Sequence, residues 1–138
     1  MSSIQSRINA FVALGNFLSQ FSSKKIEKSS TVLFNELFFD GFIHQIKLAE
    51  EQNSWFTKEA ILFSLDNWTS ALTHENLNQW ISNENLVEKS SKTVAIVMAG
   101  NIPLVGFHDF LSVLICGHSV LVKQSSNDKH LIPYLAKY

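Results

Sequence analysis

The sequence predicts an α/β protein in which a helical amino-terminal region, residues 1–92, precedes the first β-α-β-α part of a parallel-sheet domain, residues 93–138. Apolar residues recur at helical spacing before Thr93, and two short runs rich in β-branched residues follow, at 94–98 and 119–123. A helical pattern over residues 104–116 separates these runs. A strand, a helix of this length and a second strand form a right-handed crossover with parallel strands.

Composition excludes several classes of protein. The 138 residues are 46% hydrophobic and carry a formal net charge of −1, which is typical of a soluble globular chain of about one domain, without the basic excess of a nucleic-acid-binding protein. No apolar run approaches the ~18 residues of a membrane span. The amino terminus lacks the features of a signal peptide, so a cytoplasmic location follows by default. The single cysteine, Cys116, cannot form an internal disulfide.

Two long helices are predicted first. One begins at a cap supplied by Ser2 or Ser3 and reaches about Ser22, and the next spans residues 32–51 with Gly41 inside it. A glycine inside a helix costs about 1 kcal/mol relative to alanine. We therefore expect either a break or close packing at Gly41.

Two shorter helices should follow, capped by Thr57 and Thr73. The amino-terminal region also carries all three tryptophans, Trp55, Trp68 and Trp80. Aromatic residues at helical spacing usually belong to a core, and we favour that interpretation. A pocket for an acyl chain or a groove for a partner is the functional alternative.

The ends of the two predicted strands carry polar residues. Residues 94–98 are predicted to be a strand buried on both faces, ended by the residues up to Pro103. Ligands of open parallel sheets bind beyond the carboxyl ends of the strands, as in nucleotide-binding layers. Asn101 lies just past the first strand and Lys123 ends the second, so neighbouring strands would bring an amide and an ammonium group together. The alternatives are a turn asparagine and a solvated lysine.

The predicted sheet is incomplete. A parallel sheet needs both faces covered, and two strands with one crossover helix do not close its core. The helical pattern of residues 131–138 also stops without a capping residue. We therefore expect the amino-terminal part of a longer protein, and the open sheet edge predicts self-association, including a homo-oligomer.

The histidines predict no metal site. They show no His-Glu-x-x-His pattern, and Cys116 with His118 lacks the two further ligands of a structural zinc. His108 and Asp109 are helical neighbours that should point about 100° apart rather than form a hydrogen-bonded pair. We favour a partly buried His108 with a local partner; the alternative is that His108, near the helix start, faces the crevice beyond the strands.

The residues around the first strand resemble a known family. Val-Ala-Ile-Val-Met-Ala-Gly-Asn101-Ile-Pro103, a helix, and Cys-Gly-His-Ser-Val-Leu-Val-Lys123-Gln-Ser-Ser together resemble the start of the nucleotide-binding domain of the aldehyde dehydrogenase superfamily. Within it, Gly-Asn-Ile-Pro-Leu-Val-Gly-Phe-His-Asp-Phe is most similar to the acyl-CoA reductases related to the fatty-acid reductase of bacterial bioluminescence. The resemblance covers residues 94–138 and implies an aldehyde-dehydrogenase-like parallel-sheet domain.

The resemblance also implies roles for single residues. Asn101 matches the asparagine whose amide donates to the oxyanion of a thiohemiacetal-like intermediate, and Lys123 matches the lysine that contacts the adenosine ribose hydroxyls or a 2′-phosphate. Met98, Ala99 and Gly100 would lie along the cofactor through backbone and small side-chain contacts. A donor aimed at charge that develops in the transition state contributes about 2.7–4 kcal/mol, which explains why a side chain would be held at position 101.

The expected cofactor is NADPH, with NADH as the alternative. Many NAD-preferring relatives carry a glutamate three residues after the lysine, where this chain has Ser126. Loss of that carboxylate removes repulsion against a 2′-phosphate, to which Ser125 and Ser126 can donate. A Gly-x-Gly-x-x-Gly fingerprint is absent, as it is in the resembled superfamily.

The activity implied by the resemblance is that of an NADPH-dependent acyl-CoA reductase, in which a cysteine thiolate attacks an acyl-CoA and the acyl-enzyme is reduced to a fatty aldehyde. The family's nucleophile is expected downstream of Tyr138, so the chain by itself should be inactive. Cys116 lies at a helix end and is better explained as a packing thiol. The alternatives are an acyl-phosphate reductase or aldehyde oxidiser of the same fold, and a non-catalytic helical binding or assembly module.

Overall fold

The computed structural model describes residues 2–84, 86 and 90–138. It combines helices with a small two-stranded parallel sheet, an arrangement compatible with the α/β class. In chain order the elements are α1 Ile4–Leu18, α2 Asn35–Gln52, α3 Lys58–Ala71, α4 His74–Asn83, β1 Thr93–Val97, α5 Phe107–Ile115, β2 Ser119–Lys123 and α6 Leu131–Lys137. None of these helices is long and apolar enough to span a membrane.

Three helices begin at the caps that the sequence predicts. In α1, α3 and α4 the cap hydroxyl accepts the N–H of the third residue after it, at 3.2, 3.1 and 3.2 Å: Ser6 to Ser3, Ala60 to Thr57 and Asn76 to Thr73. Each hydroxyl satisfies an N–H group that has no partner within the first helical turn. The starts of these helices were therefore predictable from local chemistry.

The connection between α1 and α2 is longer than predicted. α1 ends at Leu18 rather than near Ser22, and α2 begins at Asn35, three residues late. Gln20 and Asn35 form a buried pair in which each side-chain amide donates to the other's oxygen, at 2.8 and 2.7 Å. Gln20 Oε1 also accepts the Ser29 N–H at 2.8 Å. Side-chain bonds therefore replace helical bonds in this segment.

Gly41 lies inside α2, which continues through it without a break. A Cβ added at Gly41 would lie 2.0 Å from Tyr134 Oη on α6. That hydroxyl donates to the Phe38 carbonyl at 3.1 Å, and Tyr138 Oη donates to the Leu33 carbonyl at 2.8 Å. Of the two predicted options, close packing is confirmed, and it ties α6 to the helical region.

Aromatic rings form the centre of the helical region. Phe17, Phe21 and Phe42 are fully buried. The ring centroids of Phe17 and Phe21 are 5.2 Å apart, and the Phe42 ring lies 5.6 and 4.9 Å from them. Tyr138, directly after α6, stacks on Phe17 at 4.5 Å, so one aromatic cluster joins α1, α2 and the end of α6.

The three tryptophans have different environments. Trp68 and Trp80 are half-buried against the core, and the Trp68 ring lies 4.6 Å from that of Phe107 on α5. Trp55 is 81% exposed. The core interpretation was therefore wrong for Trp55, which lies in the short connection between α2 and α3.

The sheet has one covered and one open face. β1 and β2 pair in parallel, with Val97 opposite Lys123. On the face that packs against α5, Ile96 is 8% exposed, whereas Val97 and Leu121 on the other face are 76% and 65% exposed. The prediction of a strand buried on both faces was wrong, because no helix within the described residues covers the second face.

α5 begins three residues later than predicted. Leu104 has a φ of +61°, outside the helical region. The Val105 and Phe107 amides instead close two turns, onto the carbonyls of Ile102 at 3.2 Å and Leu104 at 3.0 Å. The chain therefore leaves β1 through a loop and two turns before the helix starts.

The end of α5 contacts the helical region. Gly117, with a φ of +84°, adopts the left-handed conformation that commonly ends helices. Arg7 of α1 is buried, and its Nε donates to the Ile115 carbonyl at 2.8 Å. A cation is favourable at the carboxyl end of a helix. α1 and α5 are therefore joined by a charged contact as well as by packing.

Candidate functional site

The predicted site residues lie at the edge where both strands end. β1 and β2 are direct neighbours, and the Met98 N–H extends their pairing by donating to the Lys123 carbonyl at 3.0 Å. Asn101 follows the end of β1 by four residues, and Lys123 is the last residue of β2. Because the strands are parallel, the loops that follow them lie side by side.

The two loops touch at Gly100. This glycine is buried, and a Cβ added to it would lie 2.2 Å from Ser125 Oγ and 2.6 Å from Ser125 Cβ. Only glycine leaves room for so close an approach. Ser125 is half-buried, and its hydroxyl accepts the Asn127 N–H at 3.2 Å, so this side chain is held against the β1 loop.

Asn101 and Ile102 form the exposed tip of the β1 loop, with Ile102 54% exposed. The residues on either side of this tip, Gly100, Pro103 and Leu104, are buried. The Asn101 carboxamide is therefore accessible from solvent while its backbone is anchored before and after it.

Met98 and Ala99 offer a ligand different groups. Met98 is 8% exposed, and a Cβ added at Gly106 would lie 2.6 Å from Met98 Cγ, so the side chain packs beneath the start of α5. Its N–H is already bonded to Lys123. Ala99 is exposed. Contact of Met98 with a ligand would therefore be limited to its backbone carbonyl.

Lys123 and Ser126 are exposed at the same edge. The Ser126 carbonyl accepts from Gln52 Nε2 at 3.4 Å and the Asn127 carbonyl from Asn53 Nδ2 at 3.2 Å, so the end of α2 fixes the loop after β2. An exposed ammonium group, a hydroxyl and an amide are the donors that ribose hydroxyls and phosphate oxygens accept from. These exposed donors are compatible with binding phosphate or ribose oxygens.

Comparisons with known proteins identify no relative of the chain. The chain matches no model of a protein family, no curated protein and no solved structure. The comparisons therefore assign no family and no function to the chain.

Asp128 belongs to the same edge and was missed in the sequence. It is 6% exposed, its Oδ2 accepts the Leu104 N–H at 3.3 Å, and its Oδ1 is buried with no hydrogen-bond partner among the described residues. Burial raises the pKa of Asp128 above its ordinary value, against the opposing effect of the Leu104 and Leu131 amides and of His130. An aspartate three residues before an apolar helical pattern is a capping signal that could have drawn attention to it.

The prediction for His108 was wrong in two respects. The side chain is exposed rather than partly buried, and its Nδ1 lies 3.5 Å from Asp109 Oδ1, at the outer limit of a hydrogen bond. Both side chains are about two-thirds exposed, at 66% and 68%, so the pair is weak. In the parts of the chain that the structure describes, no three His, Cys, Asp or Glu side chains lie close enough to hold a metal ion.

An apolar cleft lies between α4 and α5, away from the strand ends. Its volume is about 350 Å³, and its larger side chains are Trp68, Leu77, Trp80 and Leu111. Trp80 also lines an adjoining pocket of about 430 Å³. This pocket extends to Cys116, which is half-buried against the core. The alternative interpretation of the helical aromatics, a pocket or groove, is compatible with Trp68 and Trp80.

Proposed function

We propose that the chain is the cofactor- and oxyanion-binding part of an NADPH-dependent acyl-CoA reductase that forms a fatty aldehyde. The observation that carries the proposal is the parallel pairing of β1 and β2, because it brings the loops of Asn101 and Lys123 to one edge of the sheet. The resemblance of residues 94–138 to acyl-CoA reductases supplies the chemistry.

In this proposal the Asn101 carboxamide stabilises an oxyanion. It donates an N–H to the oxygen that becomes negative when a thiolate attacks the thioester carbonyl, and again during reduction of the acyl-enzyme. The buried residues Gly100 and Leu104 on either side support the role, since a donor held in place before the reaction needs no reorganisation.

Lys123 and Ser126 are proposed to bind the adenosine end of NADPH. The nicotinamide end of bound NADPH would supply the hydride. The exposed Lys123 ammonium attracts phosphate oxygens, and the Ser126 hydroxyl replaces a carboxylate that would repel a 2′-phosphate. Ser125 contributes from its half-buried position between the two loops. NADH should therefore bind more weakly than NADPH.

The reaction also requires a thiol nucleophile. Cys116 is half-buried against the core just after the end of α5, as a packing residue would be, and we do not assign it this role. Following the resembled family, the proposal assigns the nucleophile to a cysteine outside these 138 residues.

The test uses the full-length protein, NADPH and a series of acyl-CoA substrates, with NADPH consumption and aldehyde formation measured together. Asn101→Ala should lower kcat by about 10²–10³-fold with little change in NADPH affinity. Lys123→Ala should mainly weaken NADPH binding, whereas the exposed Lys129→Ala serves as a charge-matched control in the same loop.

The possible outcomes separate the alternatives. An unchanged kcat in Asn101→Ala would overturn the oxyanion assignment, and unchanged NADPH affinity in Lys123→Ala would exclude its role. Activity with acyl phosphates, or only in the oxidising direction, would favour another enzyme of the same fold. Failure of the wild-type protein to bind NADPH would favour a helical binding or assembly module.

A further inference from the structure

The strongest feature outside the predicted site residues is the environment of Asp128. The residue lies between β2 and α6, and only 6% of it is exposed. One carboxylate oxygen accepts the Leu104 N–H, and the other is buried with no hydrogen-bond partner among residues 2–84, 86 and 90–138. A buried polar atom without a partner is destabilising. Among the described residues, the Leu104 N–H is therefore the group that Asp128 holds by a hydrogen bond within the usual length limit.

The group that Asp128 contacts has an unusual backbone conformation. Leu104 has a φ of +61°, a left-handed conformation that a leucine adopts only at a cost of about 1–3 kcal/mol. Its side chain is 1% exposed, so the core holds the residue from one side. The Asp128 carboxylate accepts a hydrogen bond from the Leu104 amide at 3.3 Å.

A second contact holds the same loop at its other end. Gly100 lies against Ser125, as the 2.2 Å between a hypothetical Gly100 Cβ and Ser125 Oγ indicates. Gly100 directly precedes Asn101, and Leu104 follows Asn101 by three residues. The loop after β2 therefore contacts the loop after β1 on both sides of Asn101.

We propose that Asp128 is a positioning residue that fixes the loop carrying Asn101, through its hydrogen bond to the Leu104 amide. The expected effect on catalysis rests on the proposed function, whereas the expected effect on the loop does not. Asp128 does not touch the reacting atoms. It determines where the Asn101 carboxamide lies when the oxyanion forms.

The experiment compares three substitutions of Asp128. Asp128→Ala removes the acceptor. Asp128→Asn keeps an acceptor oxygen for the Leu104 amide, and Asp128→Ser keeps a hydroxyl at this position but is too short to reach Leu104. Asp66→Ala is the matched control, because Asp66 also holds a loop amide, that of Ser23 at 3.1 Å, in the helical region.

The first readout is hydrogen exchange of the Leu104 amide in the chain without ligand. We expect Asp128→Ala to accelerate exchange by about tenfold or more, as expected for loss of one charge-assisted hydrogen bond, and Asp128→Asn to restore protection. Unchanged exchange in Asp128→Ala would overturn the proposal. If Asp128→Ala does not fold, Asp128→Ser decides the question by the same measurement.

The second readout is the division between kcat and NADPH affinity in the full-length protein. Asp128→Ala should lower kcat by up to about 10²-fold through misplacement of Asn101, leave NADPH affinity nearly unchanged, and be rescued by Asp128→Asn. An equal loss in Asp66→Ala would show a general stability effect and overturn the positioning role. If the wild-type protein lacks reductase activity, the proposed function fails, while the Leu104 exchange still decides whether Asp128 holds the loop.

Discussion

The helical region and the sheet edge are built in opposite ways. The helical region encloses fully buried rings such as Phe17 and Phe42, whereas the sheet leaves Val97 and Leu121 open on one face. The polar side chains between α1 and α2 bond to one another, but Asn101 at the sheet edge is exposed. The helical region therefore buries its aromatic rings and pairs its polar side chains, whereas the strand ends expose Asn101 and Lys123.

The sharpest contrast should come from substitutions of phenylalanine. Phe42→Ala removes a fully buried ring that packs on Phe17 and Phe21, and we expect a loss of about 3–5 kcal/mol in the free energy of unfolding. Phe63→Ala, at a position 63% exposed, should change it by less than about 0.5 kcal/mol. Urea unfolding of both variants measures the difference. Similar losses would contradict the division between core and surface.

A substitution at the contact between the two site loops should cost less stability than Phe42→Ala. Gly100→Ala places a methyl group against Ser125 and should cost about 1–3 kcal/mol and weaken NADPH binding. Ser125→Gly should recover part of both losses, because it removes the two atoms closest to the new methyl group. A Gly100→Ala variant as stable as wild type would show that the loops do not touch.

The carboxylates of Asp128 and Asp66 should make the free energy of unfolding depend on pH in opposite directions. Burial raises the pKa of Asp128, so its contribution to stability is complete below the ordinary aspartate pKa of about 3.9 and is lost as pH rises through the raised value. Burial also acts to raise the pKa of Asp66, but hydrogen bonds from Ser22 and Ser23 and the charge of Lys24 outweigh it and lower the pKa. The stabilising contribution of Asp66 is therefore lost as pH falls through that lowered pKa.

Unfolding free energies of Asp128→Asn and Asp66→Asn between about pH 3 and pH 7 test this difference. Relative to wild type, Asp128→Asn should become more stable as pH rises, and Asp66→Asn should become less stable. Changes of the same sign in the two variants would contradict the assignment of opposite shifts.

The smallest effect is expected on the open sheet face. Leu121→Thr introduces a β-branched residue, which suits a strand, at a position 65% exposed and should change stability by less than about 0.5 kcal/mol. Ile96→Thr, on the covered face and 8% exposed, should cost at least about 1 kcal/mol. Equal costs, measured by thermal unfolding, would indicate that the open face is covered in solution.

Much of this architecture could be predicted because it follows local rules. Periodicity, the Ser3, Thr57 and Thr73 caps and the short crossover were sufficient for the order of the elements and the parallel pairing of the strands. The start of α5 could not be predicted, because the conformation of Leu104 is associated with a hydrogen bond to Asp128, 24 residues away. Contacts between distant residues leave no periodic signal.

The candidate site shows the same limit. Asn101 and Lys123 could be placed at one edge from their positions after the strands, and the resemblance suggested what they bind. The contact between Gly100 and Ser125 and the buried carboxylate of Asp128 required the folded arrangement of the two loops. The sequence thus indicated the exposed groups of the site but not the residues that hold them.

An NMR titration of the isotope-labelled chain with NADPH would show whether the sheet edge binds the cofactor. We expect amide shifts to concentrate at residues 98–101 and 123–126 and to leave the aromatic core of the helical region unchanged. Absence of binding, or shifts confined to the cleft around Trp80 and Leu111, would contradict it. Shifts confined to that cleft would indicate that the helices, rather than the sheet edge, form the binding site.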